Sequence, residues 1–273
     1  MNESTALEDA TDGARLLAFG MRPKLIPSRD LVYADLVRRF AEDGAFRELT
    51  EAIAEGLGLS VLAVSPRTGA VLGPVEESVF GQRFEDYARR ATLGDRRDQE
   101  RILHGIAHMA IAALAFPRPD DLAMDTYIGR VSVEQVDSVV REACIMLATK
   151  AASAEEADDP LEDAPELERA WRIYQRRPET ALTKDGRLAP STTRGVIAKA
   201  LRFLADQGFL FKTSDQDGGT YRTTPRYQVQ VRELAAEQAF AELLELGVVS
   251  VTDPSGSLRS VSLSEEEGGP ADV

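Results

Sequence analysis

One stretch constrains this chain more than any other. Between Pro190 and Val231 the residues dictate a helix, a strand, a glycine turn and a second strand in immediate succession. Over Ser191 to Gln207 the apolar residues Val196, Ile197, Ala200, Leu201 and Leu204 recur at three- and four-residue steps, which gives a helix one buried stripe. Lys199 and Arg202 fall on the opposite face. Pro190 and Ser191 suit a helix start, and Gly208 ends the helix one residue before the apolar run Phe209-Leu210-Phe211. Asp217-Gly218-Gly219 supplies the positive-φ turn of a two-stranded ribbon. From Thr220 to Val231 the residues Tyr221, Thr223, Tyr227, Val229 and Val231 alternate with polar ones and predict the returning strand.

A similar order is expected earlier in the chain. Residues 1–27 lack periodicity, contain Pro23 and Pro27, and read as a flexible arm. Leu31 to Glu42 and Phe46 to Leu57 read as amphipathic helices, with Val32, Leu36 and Phe40 on one face of the first and Leu49, Ile53 and Leu57 on the second. Ser60 to Val64, a Pro66-Arg67-Thr68-Gly69 turn and Ala70-Val71-Leu72 then predict a hairpin. Further helices are expected over Arg83 to Ala91, Arg97 to Ala115 and Val133 to Ala152. Pro117-Arg118-Pro119 separates the last two, and Ser132 caps the final one. The last helix carries an apolar stripe of Val136, Val139, Val140, Ala143 and Leu147, more than one small module is expected to cover, which must pack against the domain itself or, as expected, against a partner chain.

Glu155 to Asp163 holds six acidic residues without apolar spacing and marks a linker. Leu167, Ala170, Trp171 and Tyr174 open a second module, a short strand is expected at Val248 to Thr252, and the Ser-, Gly- and Glu-rich remainder reads as disordered. The expected division is an arm (1–27), a first domain with extra helices (28–152), an acidic linker (153–165), a second domain (166–252) and a tail (253–273). The fold class is α+β and mostly helical.

The net charge of −14 is unevenly spread. From Pro165 to Arg232 thirteen basic residues stand against seven acidic ones, a net of +6 that leaves −20 for the rest. A basic island in an acidic chain suits a module that touches phosphate while the remainder repels it. Arg194, Lys199, Arg202, Lys212, Arg222 and Arg226, at the helix start, on its outer face and along the hairpin, are the candidate contacts to double-stranded DNA, weak and without marked sequence preference.

No catalytic or cofactor signature competes with this reading. His104 and His108 sit one helical turn apart, but no glutamate adjoins the first and no third ligand is evident, so no bound metal is expected. Gly56-Leu57-Gly58 lacks the third glycine of a dinucleotide loop, and no phosphate-binding loop is present. Cys144 is the single cysteine and lies among apolar residues, which excludes a disulfide framework and predicts a packed thiol. With no basic-then-apolar start and no long apolar run, a cytoplasmic, nucleoid-associated protein without a membrane span is expected.

Helix, helix and hairpin in one module, and helix, strand, turn and strand in the other, are the order of tandem winged-helix domains. The anchors are Leu31 to Val71, and Ala200-Leu201-Arg202-Phe203-Leu204 through Gly208-Phe209-Leu210 to Arg226-Tyr227. With the acidic linker and the helical additions, the chain resembles the kite subunits of bacterial SMC complexes, the MukE and MksE type, including the corresponding subunit of Wadjet-type plasmid-defence condensins. The resemblance implies a non-enzymatic homodimer that binds a kleisin subunit and holds DNA near SMC ATPase heads supplied by another chain. Its setting would be chromosome organisation or plasmid defence. A transcriptional regulator reading a specific DNA site, and a scaffold whose wings dock protein, are the alternatives.

Overall fold

The computed structural model describes residues 3–75, 78–79, 97–156, 165–184, 188–234, 249–251 and 258–260. The expected helix over Arg83 to Ala91 lies outside these residues, as do most of the acidic segment and most of the tail. The fold is α+β and mostly helical, with small sheets of two and three strands.

The first core begins earlier than the sequence suggests. Residues expected to form a flexible arm make helix α1 (Glu3–Gly20), with Leu16 and Leu17 fully buried. Its inward stripe runs through Ala6, Ala10, Gly13, Leu16, Leu17 and Gly20, a helical spacing built mainly of small residues that a search for large apolar side chains passes over. Helices α2 (Leu31–Glu42) and α3 (Gly44–Gly56) follow. Asp30 and Asp43 cap them by accepting the Tyr33 and Phe46 backbone N–H groups at 3.0 and 3.1 Å. The buried faces are rotated from those expected. Tyr33, Leu36, Val37 and Phe40 point inward on α2 and Val32 is 50% exposed, while Phe46, Thr50 and Ala54 point inward on α3 and Leu57 is 40% exposed. Strands β1 (Leu59–Ser65) and β2 (Gly69–Pro74) form the expected antiparallel hairpin.

The second core is larger and crosses the expected domain boundary. Helix α4 (Arg97–Ala115) and the short α5 (Pro119–Ala123) precede strand β3 (Arg130–Ser132) and helix α6 (Val133–Glu156). Helix α7 (Pro165–Arg176), helix α8 (Thr193–Asp206), strand β4 (Leu210–Ser214), strand β5 (Thr220–Thr223) and helix α9 (Pro225–Leu234) complete it. One cluster joins Leu103, Ile111, Val131 and Val140 to Trp171, Ile197, Leu201 and Tyr227. This cluster thus draws on residues from both sides of the acidic segment, and the described residues pack around cores in two units, 3–75 and 97–234. No helix among the described residues is long and apolar enough to cross a membrane.

Three strands form one sheet in the order β3-β5-β4, both pairings antiparallel. Strand β3 has only three residues and was not expected. Ser132, its last residue, caps α6 as the sequence suggests: its Oγ accepts the Gln135 N–H at 3.2 Å, and the Gln135 side chain accepts the Ser132 N–H at 3.1 Å. The turn from β4 to β5 has the expected positive φ at Asp217, Gly218 and Gly219.

The returning strand is shorter than expected, because the chain turns helical after Thr223. Pro225 has no N–H to give a ladder and fits the first turn of a helix, so Tyr227, Gln228 and Val231 become one face of α9. The expected strand near Val248 is β6 (Val249–Val251). It pairs with β7 (Leu258–Ser260) inside the segment expected to be disordered.

Gly208, at the end of α8, has φ +75°, and a Cβ there would lie 1.9 Å from the Pro23 carbonyl oxygen. Gly208→Ala is therefore expected to destabilise the protein by about 1–3 kcal/mol in urea denaturation, through strain and a forced backbone shift. An unchanged midpoint would show that this approach of the two units is not held in solution.

Candidate nucleic-acid interface

The six basic residues expected on one face separate into three groups. Arg226, at the start of α9, is 9% exposed and turns inward. Its guanidinium donates to the Gly20 and Arg22 carbonyl oxygens at 2.5 and 3.2 Å, closing the C-terminus of α1, where unpaired carbonyls favour a cation. Burial lowers its pKa, the cost of desolvating the cation. Gln228, on the same helix, donates through its amide to the Asp121, Leu122 and Met124 carbonyls. Arg226 therefore ties α9 to α1 across the two units, and it stands on a helix after the hairpin instead of along it.

Arg194 is also structural. It pairs with Glu179 at 2.5 Å, Glu134 at 3.5 Å and Asp137 at 3.8 Å. Asp137 is buried and is the centre of this network: it accepts the Tyr174 hydroxyl at 2.5 Å and lies 3.4 Å from Arg141, which in turn donates to Thr193 at 3.0 Å. Burial, and the hydrogen bond to Asp137, raise the Tyr174 pKa, so the phenol keeps its proton. The network ties α6, α7 and the start of α8 together.

It also covers the first turn of α8. Thr192, Thr193, Gly195, Val196, Ile197 and Ala198 are all buried. The segment before the helix covers its first turn, with the Thr193 and Arg194 N–H groups donating to the Pro178 and Glu179 carbonyls. On α3 the exposed residues include Glu48, Glu51 and Glu55, which repel phosphate.

The remaining basic residues lie nearer solvent. Lys199 is half-buried. Lys212 is exposed, pairs with Asp215, and carries its ammonium 5.9 Å from the Tyr221 ring centre. Arg202 and Arg222 are exposed and make no ion pair with a described residue. Arg222 lies with its guanidinium 4.8 Å from the centre of the Phe211 ring. Beside it stands an arginine the sequence reading missed. Arg130 on β3 is the direct cross-strand neighbour of Arg222 on β5, and Phe211 on β4 is the neighbour on the other side. The only signal for it was the alternation Arg130-Val131-Ser132 just ahead of the cap, too short to stand out in a linear search.

Comparison with protein-family models, with curated proteins and with solved structures finds no match. The functional reading therefore rests on the fold and on the chemistry of these residues.

The apolar stripe on α6 is not a partner surface. Val136, Val140, Ala143 and Leu147 are at most 4% exposed, and Val139 is partly buried against Ala143. The stripe packs on α4, α7 and α8 within the same chain. Those three helices come from both sides of the acidic segment, and together they cover a face that looked too large for one small domain.

The candidate chemical groups are packed. Burial pulls the His104 pKa down to about 3 and the His108 pKa to about 4, so both imidazoles are neutral near pH 7. The His108 ring stands edge-on to Phe203 with centres 5.9 Å apart. Burial pushes the Cys144 thiol up to about 12, away from the thiolate that nucleophilic chemistry needs. Among the described residues no group of three or more His, Cys, Asp or Glu side chains could hold a metal ion.

Proposed function

We propose that the chain is a non-enzymatic, tandem winged-helix subunit of the kite type, which contacts duplex DNA weakly within a bacterial SMC-like complex. The observation that carries this reading is the strand order β3-β5-β4. In a winged helix, a short strand after the first helix joins the hairpin that follows the third, and becomes the outer strand beside the returning one. Here β3 follows α4 and its short extension α5, and pairs with β5. The first unit supports the same reading with three helices, α1 to α3, followed directly by a hairpin.

In this reading the partners are a kleisin-like subunit and, through it, an SMC ATPase, and the protein self-associates in chromosome organisation or anti-plasmid defence. A sequence-specific regulator fits less well, because the start of α8 is buried and the outer face of α3 is acidic. Co-purification from the native host, with light scattering on the isolated protein, tests the reading. The expected result is a dimer at micromolar concentration and recovery of an SMC ATPase and a kleisin. A strict monomer that recovers neither would overturn it.

A further inference from the structure

We propose that the outer face of the β3-β5-β4 sheet is a phosphate clamp, in which Arg130 and Arg222 together grip a backbone phosphate of duplex DNA. The proposal rests on the reading of the chain as a DNA-contacting subunit, and names the side chains through which contact is made.

The register fixes which face these residues share. Val131 and Tyr221 are cross-strand neighbours and both are buried, so the inner face of the sheet runs through them. Arg130 and Arg222, one position along on each strand, are therefore on the outer face, and both are exposed. Directly opposed like charges destabilise a sheet unless something between them carries the opposite charge. The chain has 46 acidic residues against 32 basic ones, yet neither arginine forms an ion pair with a described residue. Arg39, Arg141, Arg194 and Lys212 all do.

Phe211 gives the pair its geometry. It is the third residue of the same cross-strand row, is 56% exposed, and lies under the Arg222 guanidinium. A guanidinium stacked on a ring keeps its edge N–H donors free and loses rotamer freedom in advance of binding. The facing Cα atoms of an antiparallel pair are about 4.5–5.5 Å apart, close enough for two arginine heads to reach oxygens of one phosphate. A backbone phosphate presents two charged non-bridging oxygens, one for each guanidinium fork. A two-residue clamp also suits an acidic protein, most of whose surface repels DNA.

Titration of the full-length protein with a random-sequence duplex across a range of salt tests the clamp. Arg130→Gln with Arg222→Gln is expected to lower affinity about tenfold and to flatten the slope of log affinity against log salt by about 0.9, the share of one phosphate. Arg67→Gln, in the first hairpin, serves as the surface control and should change both less. If the wild type binds and the double variant keeps its affinity and slope, the clamp is wrong and DNA is held elsewhere. If the wild type does not bind duplex at about 50 mM salt, the DNA reading fails with it. Polyglutamate competing as well as duplex at equal charge would overturn the assignment to phosphate. Thermal melts in chloride give a second readout. Arg130→Gln should melt at or above the wild type, because it removes an uncompensated like charge, and a clearly lower melting temperature would overturn the argument from opposed charges.

Discussion

Asp137→Ala is expected to destabilise the protein by about 3–5 kcal/mol, the largest effect of any single substitution considered, because it removes the acceptor at the centre of a buried charged network. Asp137 accepts the Tyr174 hydroxyl and lies within ion-pair distance of Arg141 and Arg194. Without it, a buried phenol has lost its acceptor and Arg194, whose side chain is 18% exposed, keeps only the more exposed Glu134 and Glu179. Tyr174→Phe removes one hydrogen bond to a charged acceptor and should cost less, about 1.5–3 kcal/mol. Urea denaturation of the two variants measures both. A loss below about 1 kcal/mol for Asp137→Ala would mean that the network contributes little to the fold. The network holds the first turn of α8 against α6 and α7.

Where large apolar residues repeat, the sequence is a good guide. Helices α2, α4 and α6 begin where their spacing and caps suggest, and the first hairpin lies between the expected turns. Failures occur where the physical signal is short or shared by two structures. The inward stripe of α1 is mostly alanine and glycine. Strand β3 is three residues long and owes its existence to β5, some ninety residues away. Tyr227, Val229 and Val231 satisfy a strand period, yet the preceding Pro225 and the helical contacts of Tyr227 and Val231 decide the local structure.

The candidate interface shows the same limit. A charge count locates a basic segment but cannot say which cations are already paired. Arg194 and Arg226 look identical to Arg202 and Arg222 in the sequence, and differ because carboxylates of other elements converge on one and helix-end carbonyls on the other. The acidic partners of Arg194 come from α6 and from the segment before α8, and the carbonyl partners of Arg226 lie more than two hundred residues upstream. Likewise, the α6 stripe looked uncovered because its covering helices lie across the acidic segment.

The two histidines give the remaining large effect, a loss of stability in mild acid. Their folded pKa values, about 3 for His104 and about 4 for His108, lie below the unfolded value of 6.5. Burial is the main cause for both, and for His104 the nearby Lys199, His108 and Arg177 charges act in the same direction. A depressed folded pKa means that, as pH falls below 6.5, the unfolded chain takes up protons that the native protein refuses. The stability contribution is therefore complete above pH 6.5 and is lost as pH falls toward 4, at about 1.4 kcal/mol per pH unit for each histidine. Denaturation midpoints measured from pH 7.5 to 4.5 in the wild type and in His104→Leu with His108→Leu separate this effect from carboxylate titration, which both proteins share. The double variant should lose stability less steeply between pH 6.5 and 4.5, whatever its stability at pH 7.5. An equal slope in the two proteins would show that the imidazoles are not what resists protonation in the native state.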